Sequence, residues 1–247
     1  MLPRAAFAPL LALAGCALAL DESALTGGEP SRCPLADAIL CESFEDGLTP
    51  GLWRYPIGSD PDAVAVVDED AARGRRALGV AIDPIDEDLA EQRGEITTDL
   101  PVGDTYRVRM FAFLPPDATA ANQARILKIA QASPPLSGVQ LLLDSDAVEI
   151  HIGLTGASRR LPVSLPSDRW FCLTIELVAA AAGSVSVAID DQPIGSFEGD
   201  TSTPDGGPPY GALSVGLTFP DPASPQPAVS ARFDEVLATS AAVSCGD

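Results

Sequence analysis

A few residues of this chain that can hold an anion or move a proton recur at spacings that place them on one side of an extended strand. Arg93 and Glu95 are separated by one residue, as are Glu149 and His151, while Lys128 interrupts an apolar stretch. Alternate side chains of a strand point to the same face, so each pair sets a basic group beside a carboxylate. Arg107 and Arg109 repeat the spacing. His151 is the only histidine, so any Ser-His-Asp triad or imidazole-bearing metal centre has to use it. A retaining glycoside hydrolase needs two carboxylates about 5 to 5.5 Å apart, which a single strand supplies as E-x-D-x-E, and no such triplet occurs here. The chemistry these residues suit is recognition: Arg93, Glu95, Arg109, Lys128, Glu149 and His151 are read as lining a polar groove, with no residue assigned to catalysis.

Elements that carry such residues follow from period-two alternation. Tyr106, Val108, Met110, Ala112 and Leu114 share one face, with Arg107, Arg109, Phe111 and Phe113 on the other. In Trp170 to Leu177, the residues Phe171, Leu173, Ile175 and Leu177 form the apolar face. Further strands are expected at Arg125 to Gln131, Val139 to Asp144, Val148 to Leu154, Val185 to Ile189, Leu213 to Phe219 and Val229 to Leu237. Asp190-Asp191 reads as a hairpin turn, and brief helical interruptions are expected at Asp86 to Gln92 and Asp117 to Gln123. With 23 Pro and 21 Gly among 247 residues, short strands between turns are favoured over long helices. The expectation is a single all-β domain of two packed antiparallel sheets.

Charge restricts the partners. The chain has 35 acidic against 15 basic residues and a formal charge of −20. Nucleic acid is therefore excluded as a partner, since such binding rests on Lys and Arg neutralising phosphates. Strongly acidic polysaccharides are also disfavoured unless the basic residues gather on one face.

At the N-terminus, Arg4 and the apolar run Ala5 to Ala14 lead into Leu13-Ala14-Gly15-Cys16. The run is too short to cross a hydrocarbon layer of about 30 Å. The pattern resembles a bacterial lipoprotein signal, which implies removal of residues 1–15 and lipidation of Cys16; the polar, Gly-containing stretch that follows reads as a tether, giving a tether over 16–32 and a folded domain over 33–247. It implies export and anchoring to the cell envelope, at the outer membrane or cell surface, through the lipid. A plain secretory peptide cut near Ala17-Leu18-Ala19 is the alternative. Beyond Cys16, four cysteines remain, Cys33, Cys41, Cys172 and Cys245, and in an oxidising compartment they are expected to form two disulfides, with three pairings open. Their spacings fit no zinc motif.

Phe44-Glu45-Asp46-Gly47, Trp53, Val64 to Val67, Gly74 and Ala77-Leu78-Gly79-Val80 resemble the opening of jelly-roll carbohydrate-binding modules and concanavalin A-like domains. Arg232-Phe233-Asp234-Glu235-Val236 resembles their closing strand. Arg169-Trp170-Phe171-Cys172-Leu173, followed by Val185 and Ala188-Ile189-Asp190, is similar to the hairpin of laminin G-like members. The resemblance implies a jelly-roll sandwich whose first and last strands are neighbours. It also implies a structural calcium near Glu45 and Asp234, because Ca²⁺ takes six to eight oxygens. Jelly-roll polysaccharide lyases resemble the chain in outline. Arg93-Gly94-Glu95 stands where they carry R-x-E, but Lys128-Ile129-Ala130 replaces their Q-x-H and Tyr210-Gly211-Ala212 lacks the lysine of their Y-x-K. These departures remove the groups that take the α-proton and neutralise the uronate. The reading is a non-catalytic envelope lipoprotein that binds carbohydrate or another extracellular ligand on one sheet. An atypical lyase or hydrolase and a structural or adhesive envelope protein are the alternatives.

Overall fold

The computed structural model describes residues 31–33, 38–68, 71–84, 92–116, 118, 122–132, 137–144, 147–203, 209–219 and 227–246. Among these residues fourteen strands run in chain order: β1 Leu40–Glu42, β2 Val64–Val67, β3 Ala77–Ile82, β4 Gln92–Asp99, β5 Thr105–Phe113, β6 Asn122–Gln131, β7 Gly138–Asp144, β8 Ala147–Ile152, β9 Ala157–Leu161, β10 Trp170–Val178, β11 Gly183–Ile189, β12 Gln192–Gly199, β13 Tyr210–Phe219 and β14 Val229–Thr239. Among the described residues helical geometry is found at the 3₁₀ turn Pro61–Ala63 and at Ala118, whose amide donates to Pro115 O at 3.0 Å and which lies within the second expected helical interruption. Of the two expected helical interruptions, 85–91, 117 and 119–121 lie outside the described residues. Gln92, Asn122 and Gln123 instead belong to strands.

All strand pairs are antiparallel, and they form two sheets. One follows the order β12-β11-β10-β5-β14-β3-β2, with β1 also on β14, and the other the order β4-β13-β6-β7-β8-β9. This is the expected jelly-roll sandwich. Between the sheets lie the apolar faces that alternation marks: Phe171, Leu173, Ile175 and Leu177 of β10, Val108 and Met110 of β5, and Val148, Ile150 and Ile152 of β8 are each at most 1% exposed. Burying a side chain of this kind is worth about 1.5 to 3 kcal/mol, so this shared interior dominates the stability.

The chain ends meet in the larger sheet, as expected, with Leu40 opposite Ala238 and Glu42 opposite Val236. A bulge between Asp234 and Leu237, with Glu235 at φ +44°, lets β14 hold β5 on one side while passing from β3 to β1 on the other. The disulfides are Cys33–Cys41 and Cys172–Cys245, which selects one of the three pairings. Asp190 and Asp191 both take positive φ, as a two-residue hairpin turn requires. Asp190 accepts the Cys172 amide and Asp191 the Cys245 amide, so the turn also seats the second disulfide.

Candidate functional site

The smaller sheet turns its apolar face inward, so the residues between Ile96, Leu213, Ile129, Leu141 and Ile150 point away from the core. Register aligns them into rows across all six strands. Thr97 faces Ser214, Ser214 faces Lys128, Lys128 faces Gln140, Gln140 faces His151, and His151 faces Ser158. Five interstrand steps of about 4.8 Å make this polar row about 24 Å long. A second row runs Arg93, Thr218, Arg125, Leu142, Glu149 and Arg160. Five of the six residues expected to line a groove are therefore on this face: Arg93, Glu95, Lys128, Glu149 and His151.

At its centre is a buried polar network. Arg125 donates to Glu95 Oε2 at 2.7 Å and to Gln140 Oε1 at 3.0 Å, and Thr218 Oγ1 donates to Glu95 Oε2 at 2.8 Å. Arg125 reaches across β13 because the position opposite Glu95 is Gly216, where no side chain intervenes. Gly216 has φ +146°, and an added Cβ there would lie 2.1 Å from Gly94 O, so only glycine allows β13 to approach β4 so closely. Glu95, Arg125 and Lys128 are 4%, 5% and 7% exposed. Burial alone would raise the Glu95 carboxyl; the Arg125 charge and hydrogen bond, the Thr218 hydroxyl and the Lys128 charge hold it below its ordinary value. Glu95 is thus an anion that orients Arg125 and not a proton donor.

Arg109 departs from the expectation. It lies on the outer face of β5 in the other sheet, fully buried. It donates to Glu235 Oε2 at 3.3 Å and to Ser244 O at 3.2 Å. Arg73, also buried, donates to the same carboxylate at 2.8 Å and sits 4.7 Å from the Phe111 ring. Glu235 also accepts the Arg32 amide. Arg109 therefore ties the chain ends together rather than facing a ligand. Its strand alternates as expected, but the tail held by Cys245 covers the face that alternation leaves open.

Glu45 and Asp234 both grip the 73–76 segment. Glu45 Oε1 accepts the amides of Arg75 and Arg76, and Asp234 accepts those of Arg73 and Glu235. Burial pushes the Asp234 carboxyl up to about 7; the amides of Arg73 and Glu235 oppose this, and the charges of Glu235 and Glu45 add to it. A buried carboxylate short of positive charge is one a cation would relieve, and in that respect the donor chemistry fits calcium. Among the described residues, however, no group of three or more acidic, histidine or cysteine side chains converges on a metal position, so further ligands would have to be carbonyls.

Both tryptophans and two of the three tyrosines are placed away from the polar rows. Trp53 Nε1 donates to Glu42 at 3.0 Å beside Phe44, and Trp170 packs 5.7 Å from Phe113. Tyr106 donates to the carbonyls of Pro101 and Tyr210 and Tyr210 to that of Thr201. Burial, and then the charge of Asp200, pushes the Tyr210 hydroxyl up to about 12. The third tyrosine, Tyr55, is 40% exposed and directly follows Arg54, which bridges to Thr97 at the β4 edge, so it borders the rows without belonging to them. The rows therefore offer an imidazole, an ammonium and guanidinium groups, with no phenol.

Arg125, Gln140, Thr218 and Arg160 are site residues that the sequence reading missed. Gln140 had a signal, since it alternates with Val139 and Leu141. Arg125 had none: the register shift between Arg125 and Leu127 puts residues three apart, Arg125 and Lys128, on one face.

No family model matches the chain, and no curated protein matches it. Solved structures do. The structure described as cellulose induced protein Cip1 superposes with a TM-score of 0.63 at 16% identity, over 84% of this chain and 100% of that one. The fold is a jelly-roll sandwich. An endo-β-1,4-glucuronan lyase from the fungus Trichoderma reesei gives 0.57 at 12% identity, over 87% and 94% of the two chains. A marine PL-14 alginate lyase from Aplysia kurodai gives 0.59 at 10% identity, over 83% and 100%. At such identities the likeness is one of architecture.

Proposed function

We propose that this chain is an exported envelope lipoprotein that binds an acidic polysaccharide along the outer face of its six-stranded sheet without cleaving it. The observation that supports this reading above the others is the gathering of Arg93, Arg125, Lys128 and Arg160 into two adjacent rows. Glu95, Glu149 and Asp144 share the face, and Arg160 pairs with Asp144 at 3.3 Å, so the face is close to charge-balanced on a protein of formal charge −20; it is where a carboxylate-bearing chain meets the least repulsion together with fixed guanidinium and ammonium groups, an arrangement that orients charged ligands. The Arg125 guanidinium held by Glu95 and Gln140 is preorganised, which reduces the ordering cost of binding. Similarity to structures described as lyases of glucuronan and alginate supports a uronate-bearing ligand.

Absence of catalysis rests on the side chains. β-Elimination needs a base for the α-proton and a donor for the leaving oxygen. The rows hold no tyrosine, and Lys128 and His151 are two strand positions apart, about 9.6 Å by strand spacing. A lyase is the second reading, favoured by the presence of Lys128, Gln140 and His151 in one row. A panel of uronate and neutral polysaccharides separates the two. Saturable binding, weakened by Lys128→Ala and by salt, with no rise in ultraviolet absorbance from unsaturated product, supports binding alone; a rise that disappears in His151→Ala supports the lyase. The lipid anchor at Cys16 lies outside the described residues, and its test is incorporation of labelled palmitate that Cys16→Ser abolishes. The structural calcium at Glu45 and Asp234 is proposed on donor chemistry, and a melting temperature raised by Ca²⁺ and restored by chelator tests it.

A further inference from the structure

The polar rows do not end at β4, because the chain returns to this edge at 54–60. Arg54 donates its amide to Thr97 O at 2.9 Å and accepts the Thr97 amide at 2.8 Å, which adds a seventh position to the first row. The Arg54 guanidinium pairs with Asp99 at 2.6 Å. Beyond it the chain is pinned again. Ser59 Oγ donates to Glu95 O and accepts the Glu95 amide, Asp60 donates its amide to Arg93 O at 2.9 Å, and Arg93 Nη1 donates to Ile57 O at 2.9 Å. Because Arg93 reaches Ile57 from the polar face, the 55–58 turn rises on that side as a wall, with Ile57 98% exposed on it.

Beside the turn is a cavity of about 440 Å³ lined by Gly58, Asp60, Asp62, Asp83, Ala81 and Arg93. It begins where the second row ends, since Arg93 belongs to both. Its chemistry differs from that of the rows: its lining carries one guanidinium, that of Arg93, and three carboxylates, those of Asp60, Asp62 and Asp83. Such a set donates and accepts hydrogen bonds to hydroxyl groups and repels a second carboxylate. The backbone ties at both ends of 54–60 hold this wall of the cavity in place against β4, and a fixed wall favours a rigid ring as occupant.

We propose that this cavity is an end subsite that holds an uncharged sugar ring of the glycan whose uronate groups lie on the rows. The proposal rests on the binding reading above and adds a specificity to it: a chain in which acidic and neutral sugars alternate is preferred over a pure polyuronate. Arg93 is the joint between the two parts, and Ala81, exposed on β3, is the floor.

The test is calorimetry with two ladders of increasing length, oligoglucuronates and oligosaccharides in which glucuronate alternates with a neutral hexose. Ala81→Trp fills the cavity from an exposed strand position. It is expected to weaken the longer alternating oligosaccharides about tenfold and leave the shortest unchanged. Asp83→Asn removes one negative charge and is expected to strengthen binding of the longer oligoglucuronates by about three- to tenfold. Lys128→Ala weakens every length in both ladders, which reports on the rows alone. Wild-type affinities that do not differ between the ladders, or an Ala81→Trp variant of unchanged melting temperature that binds every length like wild type, would overturn the subsite while leaving row binding intact. A wild-type protein that binds neither ladder overturns both readings.

Discussion

Replacing Glu95 by glutamine is the most informative single perturbation of the polar face. The change keeps the side-chain volume and removes one charge, so it leaves Arg125, 5% exposed, without its carboxylate at 2.7 Å. Gln140 still accepts one guanidinium bond, but it brings no charge. Breaking a buried pair by removing one partner costs about 3 to 5 kcal/mol, because the remaining charge stays desolvated. For a domain of this size each kcal/mol moves the melting temperature by about 2 to 4 °C, so a fall of about 6 to 20 °C is expected in calorimetry. The double variant Glu95→Leu with Arg125→Met removes both charges and is expected to recover much of that loss. A fall of under about 2 °C for Glu95→Gln would mean that water screens the pair, and the preorganised guanidinium would then have no structural basis.

Other outcomes follow from the same contacts. Glu95 titrates below its ordinary value of 4.5 when folded. Its contribution is therefore complete above pH 4.5 and is lost as the pH falls from there through the lower folded value; melting temperatures of wild type should decline over that range more steeply than those of Glu95→Gln. Cys172–Cys245 closes 73 residues and Cys33–Cys41 closes 8, so loop-closure entropy predicts losses of about 4.4 and about 2.5 kcal/mol for the respective Cys→Ser pairs in urea unfolding. Reversal of that order would argue against the tail as a principal clasp. Gly216→Ala has to displace β13 from β4, and a cost of about 2 kcal/mol or more together with weaker glycan binding is expected.

Much of the fold can be read from alternation. The strand from Trp170 shows its inward face directly, with Phe171, Leu173, Ile175 and Leu177 all within the core, and the Asp190-Asp191 turn lies where turn chemistry puts it. What eluded the sequence was placement between strands. Arg109 has the alternation of an outward groove residue, yet its strand belongs to the other sheet, and a disulfide 73 residues in span lays the tail over it. Lys128 and Gln140 come into line with His151 only through pairing register, and Arg125 joins Lys128 only through a bulge; neither leaves a local pattern. The short β9, with Ser158, Arg159 and Arg160 exposed, has too little apolar alternation to stand out.

Calorimetric titration of an oligosaccharide that alternates glucuronate with a neutral hexose tests the central claim most directly, with wild type and Lys128→Ala compared at low and high salt. Saturable binding by wild type that weakens with salt and drops about tenfold in Lys128→Ala, with the oligosaccharide recovered intact, is the predicted result. Affinity indifferent to both salt and Lys128, or no binding at either salt concentration, would contradict it.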